Sequence, residues 1–472
     1  MNQLDQPAIP AAVMFKKILV SYTAFAFLMT LFMVRAEGNC FEVVDKTSSH
    51  DLQLKILIMP FGGALAHTTR PLEIARELRG RGHLVSFAGE GKYLRIVESE
   101  GFEVIKLVSL DGETVQRNAE NGELNDYTTQ TAIDHIKGEI ALINEVKPDL
   151  VISDLRMTVS TAAELTGVKH VSILNSSWTN YYEGDRIIPE HFKVGGWNLG
   201  RVAKPITQWM NRSRLTRPLA QRPLRWIEGQ FLREGAKVLN EARESFNLPP
   251  FSNMFEAMEG DLNILADLPA YSPTSELPNH FKQVGPLTWS AQSPPPVWFN
   301  SLDRSRPIVY VTMGSSGNRK YVDAAIEEFR DSNFQLIITT GNLKPVDNAP
   351  KNVFSVDFAP GDLMMEIADV VVCQGGNGTV YQAIRSGKPL VGIPVLPDQE
   401  IYNMLRVEQM GLGISLSDLG YRRGNIRKAA EKLLRQRDSL RFKKKMQELQ
   451  AELEVYDGAR RATDEIESLF RR

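Results

Sequence analysis

The sequence predicts an α/β protein built from two doubly wound domains that face each other across a cleft. Three observations carry this expectation. Short, almost wholly apolar runs recur between amphipathic stretches, glycine-rich turns follow several of those runs directly, and a proline- and serine-rich stretch over 284–296 interrupts the alternation in mid-chain. Continuous apolar runs suit strands buried on both faces of a parallel sheet, and alternation with helices is what such a sheet requires. At 472 residues the chain is too long for one ordinary core.

Residues 1–50 form an extension of a different kind. Lys16-Lys17 precede an uncharged apolar run over 18–34, and Val34-Arg35-Ala36 has the small-residue character of a cleavage site. Three readings stay open: a signal peptide, a short anchor near the lower length limit for spanning, or a segment left untranslated because initiation lies further down.

The first domain is expected over 51–292. Leu54-Lys55-Ile56-Leu57-Ile58-Met59 reads as its first strand, ended by the turn Pro60-Phe61-Gly62-Gly63. The spacing then predicts a helix over 69–81, with Leu72, Ile74, Ala75 and Leu78 on one stripe and Gly80 and Gly82 closing it. His83-Leu84-Val85-Ser86-Phe87 begins the next strand, and the rhythm returns at Leu150-Val151-Ile152-Ser153, at Ala162-Ala163-Glu164-Leu165 and at His170-Val171-Ser172-Ile173-Leu174. The proline-rich stretch is a stiff connection. A second domain is expected over 293–472, with strands at Ile308-Val309-Tyr310-Val311-Thr312, Leu336-Ile337-Ile338-Thr339-Thr340 and Val370-Val371-Val372-Cys373 and with charged terminal helices. Ligands of such sheets bind beyond the carboxyl ends of the strands, here in the cleft.

Composition narrows the partners. With 43% hydrophobic and 24% charged residues and a net charge of -2, neither disorder nor nucleic-acid binding is indicated. Cys40 and Cys373 are the only cysteines, so no disulfide framework and no Cys-based metal site is expected, and a reducing compartment fits. No metal-binding motif is visible.

Three segments can carry chemistry. Gln374-Gly375-Gly376-Asn377-Gly378-Thr379 joins a strand to a helix; its glycines admit a ligand close to the backbone, and the helix N-terminus presents free N–H groups to an anion such as a diphosphate. A tight turn without ligand is the plain alternative, and the G-x-G-x-x-G spacing of a dinucleotide site is absent. Ser315 and Ser316, at the end of another strand, offer hydroxyls to the same phosphates. Asp398 and Gln399 follow a further strand and suit vicinal sugar hydroxyls, or else a helix cap.

The order of these pieces, with Pro397-Asp398-Gln399, Asn403 and Arg406-Val407-Glu408, resembles the family-1 glycosyltransferases of the GT-B fold, whose two Rossmann-like domains enclose the site. The similarity runs from about Leu54 to the terminal helix and is greatest to the bacterial UDP-glucuronosyl- and glucosyltransferase-like branch acting on lipophilic natural products and macrolides. That resemblance implies a nucleotide-sugar co-substrate and no other cofactor. It makes Phe358-Ala359-Pro360 the base-binding turn, with Gly361 a departure where many relatives have glutamine. Gln382 stands where many plant members bind the ribose with glutamate, and an amide in place of that carboxylate weakens strict UDP selection; a UDP-sugar is expected before a dTDP-sugar, which stays open. Gln374 stands where the family has histidine for the donor diphosphate.

On the acceptor side, His67 corresponds to the family's catalytic histidine and Asp154 to the aspartate that orients it, although an isolated histidine is more often structural and Asp154 would also serve as a helix N-cap. The implied reaction is a single inverting displacement of the nucleoside diphosphate from a hexose by an acceptor hydroxyl. Trp178, Tyr181 and Tyr182 are expected to line the acceptor pocket, or to be ordinary core. Residues 192–237 hold ten Lys/Arg against Glu228 and Glu234, with Trp197, Trp209 and Trp226 interspersed. That pattern suits peripheral contact with anionic lipid, and equally a solvated helix pair with its tryptophans packed inward. Two further functions stay in view: a non-catalytic nucleotide-sugar-binding protein, and a membrane-associated glycosyltransferase of lipid or cell-envelope synthesis. Nucleotide sugars are mostly cytosolic, which places the chain in the cytoplasm, with membrane association through 18–34 as an added feature.

Overall fold

The apolar runs become the strands of two all-parallel sheets in the computed structural model, which describes residues 52–471 apart from 122, 124, 195, 196, 315, 342–345 and 347. Residues 1–50, with their apolar segment, and Ser315 lie outside the described residues. The first sheet contains β1 (Lys55–Pro60), β2 (Leu84–Gly89), β3 (Glu103–Lys106), β4 (Leu150–Asp154) and β5 (Lys169–Leu174). A short antiparallel ribbon, β6 (Lys193–Val194) and β7 (Trp197–Asn198), precedes its last strands, β8 (Leu262–Leu265) and β9 (Phe281–Gln283). The second sheet holds β10 (Ile308–Thr312), β11 (Gln335–Thr339), β12 (Val353–Val356), β13 (Val370–Cys373), β14 (Leu390–Gly392) and β15 (Gly413–Ser415).

Period-two alternation places each strand's side chains in two cores. Ile56 and Ile58 enter one cluster beneath the first sheet while Leu57 and Met59 enter the cluster above it. Tyr310 and Val311 divide in the same way around the second sheet. Burial on both faces explains why these strands read as unbroken apolar runs rather than as alternating ones.

Strand order is β3-β2-β1-β4-β5-β8-β9 in the first sheet and β12-β11-β10-β13-β14-β15 in the second. In each, the chain winds outward one way from the first strand and then the other way from its neighbour. The switch points therefore lie between β1 and β4 and between β10 and β13, where Pro60 pairs with Asp154 and Thr312 with Cys373. Crevices open at the carboxyl ends of strands at such points.

Two boundaries differ from expectation. The helix predicted over 69–81 spans Leu65–Gly80, so His67 lies in its first turn rather than in the preceding loop. Pro71 sits inside this helix and cannot donate to the His67 carbonyl four residues earlier, which is why the pattern reads as a later start. Helix Leu440–Val455 packs on the second sheet through Phe442, Met446 and Leu449, whereas helix Gly458–Ser468 returns to the first, burying Ala462 and Ile466 beside helix Leu65–Gly80. The chain thus crosses back at its end, which a division at 292/293 does not capture. No helix of the described residues is long and apolar enough to cross a membrane.

Candidate active site

At the first switch point the helix Leu65–Gly80 presents His67 and Arg70, one turn apart, to the end of β4. His67 Nδ1 lies 2.7 Å from Asp154 Oδ1, and Asp154 is completely buried. Arg70 grips the same carboxylate with two bonds, Nε to Oδ2 at 2.9 Å and Nη2 to Oδ1 at 2.6 Å, and donates through Nη1 to Asn175 Oδ1. Arg70 Nη2 is also 3.1 Å from His67 Nδ1. A guanidinium has no acceptor, and its shorter contact is to the carboxylate, so Nδ1–H donates to Asp154. That tautomer leaves the lone pair on Nε2. The imidazole is stacked on Trp178, with ring centroids 5.6 Å apart and planes inclined by 21°. Leu155, next in the chain to Asp154, adopts φ 54°, in the left-handed region that costs a non-glycine residue about 1–2 kcal/mol.

At the second switch point begins helix Asn377–Arg385, whose first residue contacts Asp267 of the first domain. Gln374 is buried, and its Oε1 has no partner among the described residues. A Cβ on Gly314, whose φ is +57°, would fall 2.2 Å from Gln374 Nε2, so glycine there is what admits the amide. Ser316 Oγ accepts from Gln399 Nε2 at 2.9 Å, while Gln399 Oε1 accepts from the Val395 and Leu396 amides. Asp267, buried at the end of β8, joins the two halves: it accepts from Asn377 Nδ2 at 3.1 Å, Tyr381 Oη at 2.9 Å and the Ser176 amide at 2.6 Å. Desolvation pushes its carboxyl up, and those three donors oppose the shift.

The two switch points share one cavity of about 230 Å3, lined by His67, Asn175 and Trp178 from the first half and by Ser316, Gln374 and Gly376 to Thr379 from the second. A second cavity, of about 370 Å3, also has His67 in its lining and is walled by Phe61, Leu155, Met157, Trp178, Phe255 and Met258. Asp398 borders both cavities, and desolvation pushes its carboxyl up, with His67 acting in the opposite sense. His67 thus lines both an anion-suited chamber and a mainly apolar one. Among the described residues, no group of three or more His, Cys, Asp and Glu is gathered as metal ligands would be.

The chain is 30% identical over 366 residues to a PGL/p-HBAD biosynthesis rhamnosyltransferase of Mycobacterium bovis (strain BCG / Pasteur 1173P2), covering 77% of this chain and 76% of that protein. Residues 308–461 match the glycosyltransferase family 28 C-terminal domain. The chain belongs to the GT-B glycosyltransferases. A PGL/p-HBAD biosynthesis glycosyltransferase of Mycobacterium tuberculosis (strain ATCC 25177 / H37Ra) is 29% identical, over 77% of this chain and 80% of its own. The fold is shared with the spinosyn forosaminyltransferase SpnP, with TM-score 0.61 and 16% identity over 89% of this chain and 99% of that one.

Within this glycosyltransferase the structure gathers His67, Trp178, Ser316, Gln374, Gly376, Asn377, Gly378, Thr379, Gln382, Asp398 and Gln399 around the cavity at the switch points, with Asp154 behind His67. Two of the residues expected to line the acceptor pocket lie elsewhere. Tyr182 is buried against Tyr402, and Tyr181 packs edge-on to Phe281; neither lines either cavity. The chain turns after Trp178, so only the first aromatic of that segment faces the site. Ala359 is core, and neither it nor Phe358 lines the cavity. Beside them, a Cβ on Gly361 would come 2.9 Å from Gln382 Nε2, so the room left by that glycine is taken by the Gln382 amide, which donates to the Trp289 carbonyl at 3.0 Å. Asn403 and Arg406 hold architecture: Asn403 Nδ2 donates to the Gly375 carbonyl, and Arg406 to the carbonyls of Ala270 and Tyr271. Sequence reasoning missed Arg70, Asn175, Asp267 and Trp289. Arg70, one helical turn after His67, carried a signal in its spacing; the other three lie in loops and carried none.

Proposed function

We propose that this glycosyltransferase moves a hexose from a nucleoside diphosphate to a hydroxyl of a lipophilic acceptor, with inversion. The observation that carries the reading is that His67, paired with buried Asp154, lines both cavities. His67 Nε2 takes the acceptor's hydroxyl proton as the oxygen bonds to the anomeric carbon, and the bond from that carbon to the diphosphate oxygen breaks with its electron pair leaving on the nucleotide. One proton is then on His67, and Asp154 stabilises the imidazolium. Free amides at the start of helix Asn377–Arg385, with Ser316, meet charge growing on the phosphates.

The names of the mycobacterial relatives make rhamnose the first sugar to test and acceptors of PGL/p-HBAD biosynthesis the first acceptors. UDP remains the first nucleotide and dTDP the second. Donors of this kind are cytosolic, so the site is read as working in the cytoplasm. The test is turnover of UDP- and dTDP-sugars with a panel of phenolic and aliphatic alcohols, for the wild type and for His67→Ala. Loss of the base should lower kcat about 10²–10⁴-fold with donor affinity within about twofold. Equal turnover in the variant would refute the role of His67. Donor binding without transfer to any acceptor would support a binding protein instead, the reading that the uncharged Gln374 favours.

A further inference from the structure

One surface of the first half contradicts the usual use of an amphipathic helix. In helix Gly200–Asn211, Val202, Pro205, Ile206 and Trp209 recur with the spacing of a single stripe, which ordinarily faces a core. Here the stripe faces solvent: Val202 is 67% exposed, Ile206 51% and Trp209 64%. It continues over Trp197, Leu215, Leu219 and Trp226, which are 66–86% exposed. The tryptophans are thus not packed inward.

The hairpin that this helix forms with helix Arg217–Gly235 is held firmly from behind. Ala220, Gln221 and Leu224 are buried, Gln221 Nε2 and Asn211 Nδ2 each donate to the Arg186 carbonyl at 2.9 Å, Tyr402 donates to Glu228 at 2.6 Å, and Lys204 is paired with Glu400. The apolar stripe is therefore displayed, not merely loose. Its rim is cationic, with Arg201, Arg212, Arg214, Arg222 and Arg233 all exposed. The hairpin's acids are spoken for, Glu228 by Arg186 and Glu234 by Lys237. In a chain of net charge -2 this positive charge is a local concentration. The far end of the second helix reaches the site: Leu232 packs in the cluster that contains Phe255, Met258 and Trp178, three walls of the apolar cavity.

We propose that this hairpin docks on a membrane surface carrying anionic lipid, with its tryptophans and aliphatic side chains at the headgroup boundary and its arginines on the phosphates. A second copy of the chain fits less well, because a two-fold contact would set the arginine rims against each other. Docking stands on the surface alone; its purpose, presenting the apolar cavity to an acceptor dissolved in the bilayer, rests on the lipophilic-acceptor reading.

The test uses the full chain with vesicles of phosphatidylcholine, alone or mixed with phosphatidylglycerol. Binding should be at least about tenfold tighter to the anionic vesicles, should weaken with salt, and should fall roughly fivefold for each rim arginine changed to alanine. Ile206→Ser/Trp209→Ser/Trp226→Ser should lower it by about tenfold or more while leaving nucleotide binding and transfer to a detergent-dissolved acceptor unchanged. Trp197→Phe/Trp209→Phe/Trp226→Phe should still bind but lose the quenching of emission by brominated lipid. The proposal is overturned by absence of vesicle binding, by binding that survives the serine substitutions and so resides elsewhere, or by a dimer that those substitutions dissolve without any vesicle binding. Failure of transfer to every dissolved acceptor would instead count against the function proposed above and leave docking intact.

Discussion

Replacing Arg70 by methionine should destabilise the first domain and impair transfer together. Asp154 is fully buried, and two of its three side-chain contacts come from the Arg70 fork, at 2.9 and 2.6 Å. Without Arg70 a buried carboxylate keeps, among the described residues, only His67 as a side-chain partner, and removing one member of such a pair costs about 3–5 kcal/mol. At about 2–4 °C for each kcal/mol in a domain of this size, the unfolding transition should drop by roughly 6–20 °C. Arg70→Lys should recover part of the loss, since an ammonium keeps the charge but not the two-pronged geometry. His67 shares Asp154 Oδ1 with Arg70, so the imidazole also loses its alignment, and single-turnover transfer should fall about tenfold or more with nucleotide affinity nearly unchanged. Differential scanning fluorimetry and rapid-quench transfer measure the two effects. An Arg70→Met variant that melts within about 2 °C of wild type and transfers normally would refute the reasoning, because it would mean that an apolar side chain replaces the ion pair at no cost.

Three further outcomes are expected. Gln374→His should raise turnover about 5–30-fold if a neutral hydrogen bond to the leaving diphosphate becomes charge-assisted, a gain of about 1–2 kcal/mol; a fall would show that glutamine makes donor contacts of its own. Asp267→Ala leaves the Ser176 amide, Asn377 and Tyr381 without their shared acceptor, so calorimetric affinity for UDP should drop about tenfold and Asp267→Asn should recover part of it; unchanged affinity in the alanine variant would confine Asp267 to architecture. Glu259 is pushed up to about 7 by desolvation, with Glu256 adding repulsion. Between the ordinary glutamate value and about 7 the folded state therefore holds the extra proton, so stability declines as pH rises through that window. Glu259→Gln should flatten the decline, stabilising the protein above neutrality and leaving it unchanged in acid; a slope that persists would assign the pH dependence to other groups.

Much of this architecture is local information. The runs at β1, β4, β5, β10, β11 and β13 are legible because a strand buried on both faces needs apolar side chains at every position, and nothing distant alters that need. The turn around Gly375 and Gly376 is legible because backbone geometry there restricts the residue type, whereas His67 was singled out by its place after the first strand and by the family resemblance. The start of helix Leu65–Gly80 was misplaced because Pro71 breaks a rule that the surrounding packing overrides. Tyr181 and Tyr182 follow Trp178 closely in sequence, yet only Trp178 faces the site, since local composition does not say which way an irregular segment turns.

By itself, then, the sequence determined the two parallel sheets, the cleft at the ends of their strands and the residue types gathered there, all consequences of short-range periodicity and turn chemistry. Only the tertiary structure decided the partners. Arg70 holds Asp154 across 84 positions, Asp267 reaches Tyr381 across 114, and Gln399 donates to Ser316 across 83. It also decided that the tryptophans of the hairpin face outward. A buried polar group must find a partner wherever the folded chain brings one, and an amphipathic stripe buries itself only where a core lies within reach. Both are properties of long-range packing, which no window of neighbouring residues contains.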